Sequence, residues 1–185
     1  MKVSIFKNIM YYVCDSSTEE IINRIRQGEV DQLIVALRKL KAEGKEEEYG
    51  QAKKKLLSFT VSGTFRNGRK AGNLHAYNGN MVIDVDKLPP SLLQQCERIA
   101  KAHPYTYACF ISPGGDGLKM IVRTISTPET HKKIFTALKN YIEELLNVFI
   151  DDSGSDIPRL CLFSSDPTAV FNENSEIFNP LNLIQ

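Results

Sequence analysis

Asp84 and Asp86 stand one residue apart at the end of an apolar run, Asn80-Met81-Val82-Ile83-Asp84-Val85-Asp86-Lys87. Side chains alternate faces along a strand, so both carboxylates point one way while Ile83 and Val85 point the other. Their Cα atoms would lie roughly 6.6 Å apart, two strand rises. Carboxylates at that spacing repel unless a cation lies between them, and hard oxygen ligands suit Mg²⁺ or Mn²⁺. The plainer reading is an acidic strand end running into the Lys-Leu-Pro-Pro turn.

Two further segments carry residue types with chemical potential. In Ser112-Pro-Gly-Gly-Asp-Gly-Leu-Lys119, the glycines, Gly115 and Gly117 among them, free the backbone to turn sharply and to approach a ligand. Backbone N–H groups in such a turn can form an anion-binding nest. On the return strand Lys119, Ile121 and Arg123 share a face, so Lys119 and Arg123 can reach phosphates beside the sheet. This is not a Walker loop, because the spacing differs and no helix follows the turn. The other segment, Ile150-Asp151-Asp152-Ser153-Gly154-Ser155-Asp156-Ile157-Pro158-Arg159, is an acidic turn leading into a strand. A third carboxylate beside a DxD pair is what metal-dependent phosphoryl transfer needs, and Asp151, Asp152 and Asp156 all remain open for that place. A solvated loop bonded to its own backbone is the simpler account.

The elements that must position these residues follow from periodicity and turn chemistry. Lys2 to Phe6 alternates as a strand. Ser16-Ser17-Thr18-Glu19-Glu20 offers a capping box for a helix continued by Ile21, Ile22 and Ile25. A second helix is expected over Asp31 to Ala42, ended by Gly44, and a polar third over Glu46 to Leu57. From Phe59 to Gly79 loops are expected. Pro89-Pro90-Ser91 opens a helix to about Ala102, Tyr105 to Ile111 and Leu118 to Thr124 form a hairpin, and Ser126-Thr127-Pro128-Glu129 starts a long helix. The apolar stripe of that helix is Ile134, Leu138, Tyr141, Ile142, Leu145 and Phe149. Arg159 to Phe163 reads as a last core strand. The order β-α-β-β-α-β gives an α+β fold: a mostly antiparallel split βαβ sheet of the RRM/ferredoxin-like palm type, helices on one face, plus an N-terminal helical lobe. Residues 1–79 are expected to form an N-terminal α/β lobe and residues 80–185 the palm core, in one compact unit.

Composition bounds the rest. A chain of 185 residues, 42% hydrophobic and 24% charged, is an ordinary globular composition. A net charge of +1 carries no global nucleic-acid signature, so any basic surface must be local. Cys14, Cys96, Cys109 and Cys161 are far apart in no CxxC pattern, which fits buried thiols in a reducing compartment. No apolar run approaches ~18 residues and no signal peptide is evident, so a cytoplasmic protein without membrane contact is expected. His75, His103 and His131 are scattered singly, against the paired histidines a rolling-circle initiator needs.

With its three segments in this order, the chain resembles the N-terminal domain found ahead of virulence-associated protein E-type helicases. That domain (the VirE N-terminal domain) is in turn similar to primase-polymerases of the archaeo-eukaryotic primase superfamily. The pattern is a DxD pair, a Ser-x-His or glycine-rich hairpin, and a third aspartate before a strand. It is matched here by Ile83 to Asp86, Ser112 to Lys119, and Ile150-Asp151 through Arg159 to Pro167. Phe59-Thr-Val-Ser-Gly-Thr-Phe65-Arg66 looks like the N-terminal signature. The resemblance implies Asp84, Asp86 and Asp151 as catalytic ligands of Mg²⁺ or Mn²⁺. It implies Ser112, Gly115, Gly117, Lys119 and Arg159 near a bound nucleoside triphosphate, with Lys119 where histidine is usual. Single-stranded or primed DNA would be held by local cations, with Lys53, Lys54, Lys55, Arg66, Arg69 and Lys70 as candidates. The function implied is metal-dependent nucleotidyl transfer in a mobile-element replication protein, with a helicase fused or separate. The alternative is a non-catalytic nucleotide- or DNA-binding module that positions the helicase.

Overall fold

The computed structural model describes residues 1–183. In chain order its elements are β1 (Lys2–Lys7), β2 (Tyr11–Ser17), α1 (Thr18–Arg26), α2 (Asp31–Ala42), α3 (Glu46–Lys54), β3 (Ser58–Thr60), β4 (Gly63–Phe65) and β5 (Leu74–Tyr77). There follow β6 (Asn80–Val85), α4 (Pro90–Ala102), β7 (Thr106–Ile111), β8 (Leu118–Arg123), α5 (His131–Leu146), β9 (Leu160–Leu162) and β10 (Val170–Phe171).

One sheet has the order β10-β7-β8-β6, all neighbours antiparallel. Because β6 and β7 both run against β8, they are parallel to each other, joined through α4 with β8 between them. That is the split βαβ arrangement. A second sheet has the order β2-β1-β3-β9, and β4 pairs with β5 alone. The last core strand therefore differs from expectation in its destination: β9 crosses to pair with β3, Cys161 opposite Phe59, instead of completing the palm sheet.

Strand alternation divides the interior into two cores. Met81, Ile83, Cys109, Met120 and Val122 pack on α4 and α5 through Cys96, Ala100, Phe135, Leu138 and Ile142. The opposite face, with Val82, Ala108, Phe110 and Ile121, packs on the second sheet and on α1 and α2 through Ile5, Phe59, Phe163, Ile22 and Ile34. Helices thus cover one face of the palm, as expected, and the N-terminal sheet covers the other.

Local signals account for most boundaries. Ser17 caps α1, its hydroxyl accepting from Glu20 N at 3.1 Å. Pro90 opens α4. α5 starts later than expected, at His131, because Thr127–Thr130 closes as a turn in which Thr130 Oγ1 accepts from Thr127 N at 2.8 Å. It stops at Leu146 because Asn147 adopts a left-handed φ of 51°. Phe149 consequently leaves the stripe and is 82% exposed. Two expectations need correction. The segment 58–79 holds three short strands, which survive by pairing rather than by propensity, and β2 was absent from the pattern because it is a two-sided exposed edge strand. Cys14, on β2, is exposed, whereas the other three cysteines are buried. No helix of the described residues is long and apolar enough to cross a membrane.

Two buried polar groups tie the layers together. Asp166, 5% exposed, accepts hydrogen bonds from Ile111 N at 2.9 Å and from Thr168 N at 2.9 Å and Oγ1 at 2.7 Å. Burial alone would raise its pKa, but these donors and Lys101 hold it below the usual carboxylate range. Asp166→Ala leaves those donors unpaired and should cost about 3 kcal/mol in urea unfolding.

His131 is buried, with Nδ1 2.7 Å from Tyr77 Oη, which lies 2.6 Å from Ser126 Oγ. Burial pushes its pKa down to about 4, against the opposing pull of Asp156 and of the Gly154 carbonyl. A depressed histidine contributes stability that is complete above pH 6.5, its ordinary value, and is lost as pH falls towards about 4. The gap corresponds to a loss of about 3 kcal/mol. Unfolding midpoints across that window should fall more steeply for the parent than for His131→Gln.

Candidate functional site: a carboxylate cleft between the palm and the N-terminal helices

The face of the palm that meets the second sheet is apolar in its middle and charged at one end. Val82 and Ile121 lie in the core, and two pairs further along the ladder, on the same face, Asp84 stands directly opposite Lys119. Lys119 Nζ donates to Asp84 Oδ2 at 2.5 Å, and the two side chains are 9% and 13% exposed. Burial would push the Lys119 pKa down, but the Asp84 carboxylate outweighs it and holds the ammonium above its ordinary value. Asp84 Oδ1 is buried and has no hydrogen-bond partner among the described residues. An unpartnered buried carboxylate oxygen carries a desolvation cost that a cation or a donor would offset.

Asp86 follows on the same face at the rim of the sheet. Burial, then the neighbouring Asp84 charge, pushes its carboxyl above the usual range, opposed by Lys119 and Lys53. Its side chain remains open to water despite that crowding, which keeps the effect modest. Lys87 turns the chain away at once, with φ of 59°. Leu88 N then donates to Asp116 O at 2.7 Å, tying this bend to the hairpin loop.

The hairpin loop is clamped from both sides. Ser112 N donates to Gly117 O at 2.8 Å and Gly115 N to Ser112 O at 3.0 Å, so these amides serve the turn and not an anion. Gly117 must lack a side chain: a Cβ there would sit 2.5 Å from Val85 O and 3.0 Å from both Asp86 Oδ1 and Ser112 Oγ. On the other side, Arg38 of α2 donates to Pro113 O at 3.2 Å and to Ser112 O at 3.4 Å, covering Gly115. Lys41, one turn on, pairs with Asp116 at 2.5 Å. Between the loop and α3 opens a cleft of about 470 Å³ lined by Lys41, Glu46, Tyr49, Lys53, Asp86 and Asp116. Lys53 Nζ lies 5.7 Å from the Tyr49 ring centroid and makes no ion pair among the described residues.

The structure therefore brings together Asp84, Asp86, Ser112, Gly115, Gly117, Lys119 and Lys53. It adds Arg38, Lys41, Tyr49 and Asp116. Asp116 lay within the glycine-rich motif, whereas the others sit on helices whose packing the sequence does not reveal. Asp151 joins no metal-holding group with Asp84 and Asp86 among the described residues. It caps the 3₁₀ turn Asp152–Ser155 by accepting from Ser153 N at 2.8 Å, and that bond, then Arg159 and Lys139, holds its pKa down. No three His, Cys, Asp or Glu side chains among the described residues are grouped to hold a metal ion. Of the remaining cations, Lys54, Lys55 and Lys70 are exposed, Arg66 is paired with Asp15 at 2.8 Å, and Arg69 donates to Pro158 O at 2.7 Å, next to Arg159 in the chain.

The donor set can be tested against a divalent cation. Asp84 Oδ1 is free of other bonds and Asp86 shares its face with an unfavourable charge, so both would gain from one. Mg²⁺ is commonly held by one or two carboxylates together with substrate phosphates, and two are what this site offers. The pair fits a cation that arrives with its phosphates better than one bound by protein alone.

Lys119→Ala strips Asp84 of its partner in a buried place and should destabilise by about 3–5 kcal/mol in urea unfolding. Asp86→Asn removes an unfavourable charge at a wet rim and should leave stability equal to the parent's or slightly higher.

Comparison with known proteins adds three findings. No curated protein matches the chain. Among solved structures, the AEP domain of the cyanophage S-2L primase-polymerase is similar with a TM-score of 0.45 and 12% identity, covering 73% of this chain and 72% of that one. The sequence model of the BT4734-like N-terminal domain matches residues 51–171, a span that contains β3 to β10, the aspartate pair and the hairpin loop, and the protein belongs to that family.

Proposed function

We propose that the protein is a primase-polymerase-like domain that binds a nucleoside triphosphate with Mg²⁺ or Mn²⁺ in the carboxylate cleft and transfers the nucleotide to a 3′-hydroxyl on a DNA template. The observation that carries this reading is the unpartnered Asp84 Oδ1 beside Asp86, at the edge of a cleft whose opposite wall supplies Lys53. The ordered motifs resembling the archaeo-eukaryotic primase superfamily support it. In this reading Asp84 and Asp86 hold the cation, which supplies charge neutralisation for the phosphoryl group undergoing transfer. Lys119 fixes the Asp84 carboxylate in orientation, because its ammonium is already engaged there and buried. Phosphates would then fall to Lys53 and Lys87, rim cations without an ion pair among the described residues, with Lys41 available if its bridge to Asp116 opens. The protein would work in the cytoplasm in mobile-element DNA replication beside a helicase, fused or separate, residues 80–185 serving as the palm and 1–79 as its lobe.

A second reading has a specific observation in its favour. Lys119 occupies one oxygen of Asp84, and no third carboxylate joins the pair among the described residues, so the cleft also suits a nucleotide- or DNA-binding module that positions the helicase without catalysis.

Nucleotide incorporation on primed and unprimed single-stranded templates, with Mg²⁺ or Mn²⁺, separates the two. The transferase reading expects extension by the parent and a loss of roughly 10²-fold or more in Asp86→Ala, the scale of one electrostatic contact to the transition state. Asp86 is the better probe because Asp84→Ala would strand the buried Lys119. Absence of incorporation with either metal by a folded parent overturns the transferase reading and leaves the binding module.

A further inference from the structure

β2 is an outer strand of the second sheet and pairs only with β1 among the described residues, so no strand closes its other edge. The side chains along its first half are apolar and in water. Met10, Tyr11, Tyr12 and Val13 are 70%, 65%, 47% and 51% exposed, and the exposed Cys14 follows. Nowhere else among the described residues do four large apolar side chains in succession stand so far out. Edge strands are usually protected by a charge or a proline, and the run Met10 to Cys14 holds neither.

The strand is also held in place. Asn8 and Ile9 close the β1–β2 hairpin with φ of 50° and 57°, and Met10 N donates to Lys7 O at 3.2 Å. Two left-handed residues make a tight turn that matches the strand twist, although the β-branched Ile9 disfavours that conformation. Tyr12 stands edge-on to Phe6, ring centroids 6.1 Å apart, with the Arg66 guanidinium 5.8 Å from its own centroid. A bulge leaves Val13 without a partner on β1. Charge then selects what can lie alongside. Lys7, opposite Tyr11 in the hairpin, marks the start of the strand, and Glu19 and Glu20 lie just past its end. All three are exposed and outside any ion pair among the described residues. A second β2 running antiparallel sets the Lys7 end of each copy beside the Glu19 and Glu20 end of the other, with the uncharged run against itself. A parallel copy would face like charge with like.

We propose that β2 is a self-association edge, which pairs antiparallel with β2 of a second copy of this chain across a two-fold axis near Tyr12 and Val13. The two second sheets then run on as one, in the order β9-β3-β1-β2-β2-β1-β3-β9. Each copy covers Met10 to Cys14 of its mate and supplies backbone partners to the open edge. The contact is short, below the roughly 1,200 Å² of a standard interface, so the dimer is weak and concentration-dependent. No residue of the carboxylate cleft takes part, so the inference goes beyond the function proposed above and does not rest on it.

The test measures mass by sedimentation equilibrium of the full chain under reducing conditions, up to high micromolar concentration. The samples are the parent, Val13→Lys, Val13→Glu and an equimolar mixture of the two variants. The parent should approach twice the monomer mass. Each variant alone should stay monomeric, because like charges meet near the axis, and the mixture should regain the dimer. Thermal unfolding of each variant at dilution supplies the folding control. Cys14, the one exposed thiol among the described residues, gives an independent readout. A bismaleimide spanning about 15 Å should join two parent copies, and Val13→Lys and Cys14→Ser should each abolish the product. A monomeric parent overturns the proposal and leaves the edge to some other extended segment. So does a parent-like dimer in Val13→Lys, or a mixture of folded variants that stays monomeric. A mass that climbs past two copies overturns it as well, since a two-fold pairing closes. Nucleotide incorporation by the parent, present or absent, bears on none of these outcomes.

Discussion

The Asp84–Lys119 pair sits where two packed sheets begin to part, and the surrounding architecture can be understood from the cost of keeping those charges there. Each ion loses most of its water, and the mutual attraction repays this only when the geometry holds. Direct pairing across the β6–β8 ladder supplies that geometry, since register places the two residues opposite each other without any flexible link. The compensation is incomplete by one oxygen. Asp84 Oδ1 faces no donor among the described residues, and Asp86 on the same face adds a second negative charge nearby. The site is thus held in a state that an incoming cation or donor would relieve.

The layers around it explain how this imbalance is tolerated. On one side of the palm, α4 and α5 bury an uninterrupted apolar face, so the strands cannot slip register to escape the charge. On the other, the second sheet seals the middle and leaves the strand ends open to the cleft. The hairpin loop is pressed onto Asp86 by Gly117 and held from above by Arg38 and Lys41, which places cationic side chains from the N-terminal helices over carboxylates from the palm. The N-terminal segment is therefore part of the site and more than a cover for it. β9 pairs with β3 of the second sheet and so ties the end of the chain's core to the N-terminal segment.

Asp84 and Asp86 concentrate like charge at the edge of a buried region. Residues kept in such places at a cost to stability mark functional sites more often than structural ones.

Much of this was determined by the sequence alone. The alternation Val82-Asp84-Asp86 against Ile83-Val85 was enough to put both carboxylates on one face, because a strand has a period of two. The capping serine of α1, the bounds of α2 and α4, and the β7–β8 hairpin followed from side-chain chemistry within a few residues. So did the split βαβ order of the palm. Only tertiary structure decided that Lys119 answers Asp84 instead of a phosphate, that Asp151 caps its own turn, and that Arg38, Lys41 and Asp116 converge on the cleft. It also sent β9 to the second sheet and set Arg69 on the Pro158 carbonyl. The reason is physical: local periodicity says which way a side chain points, but the partner it meets depends on burial and register between segments far apart in the chain. For charged groups, that partner decides whether the charge is neutralised at home or left for a ligand.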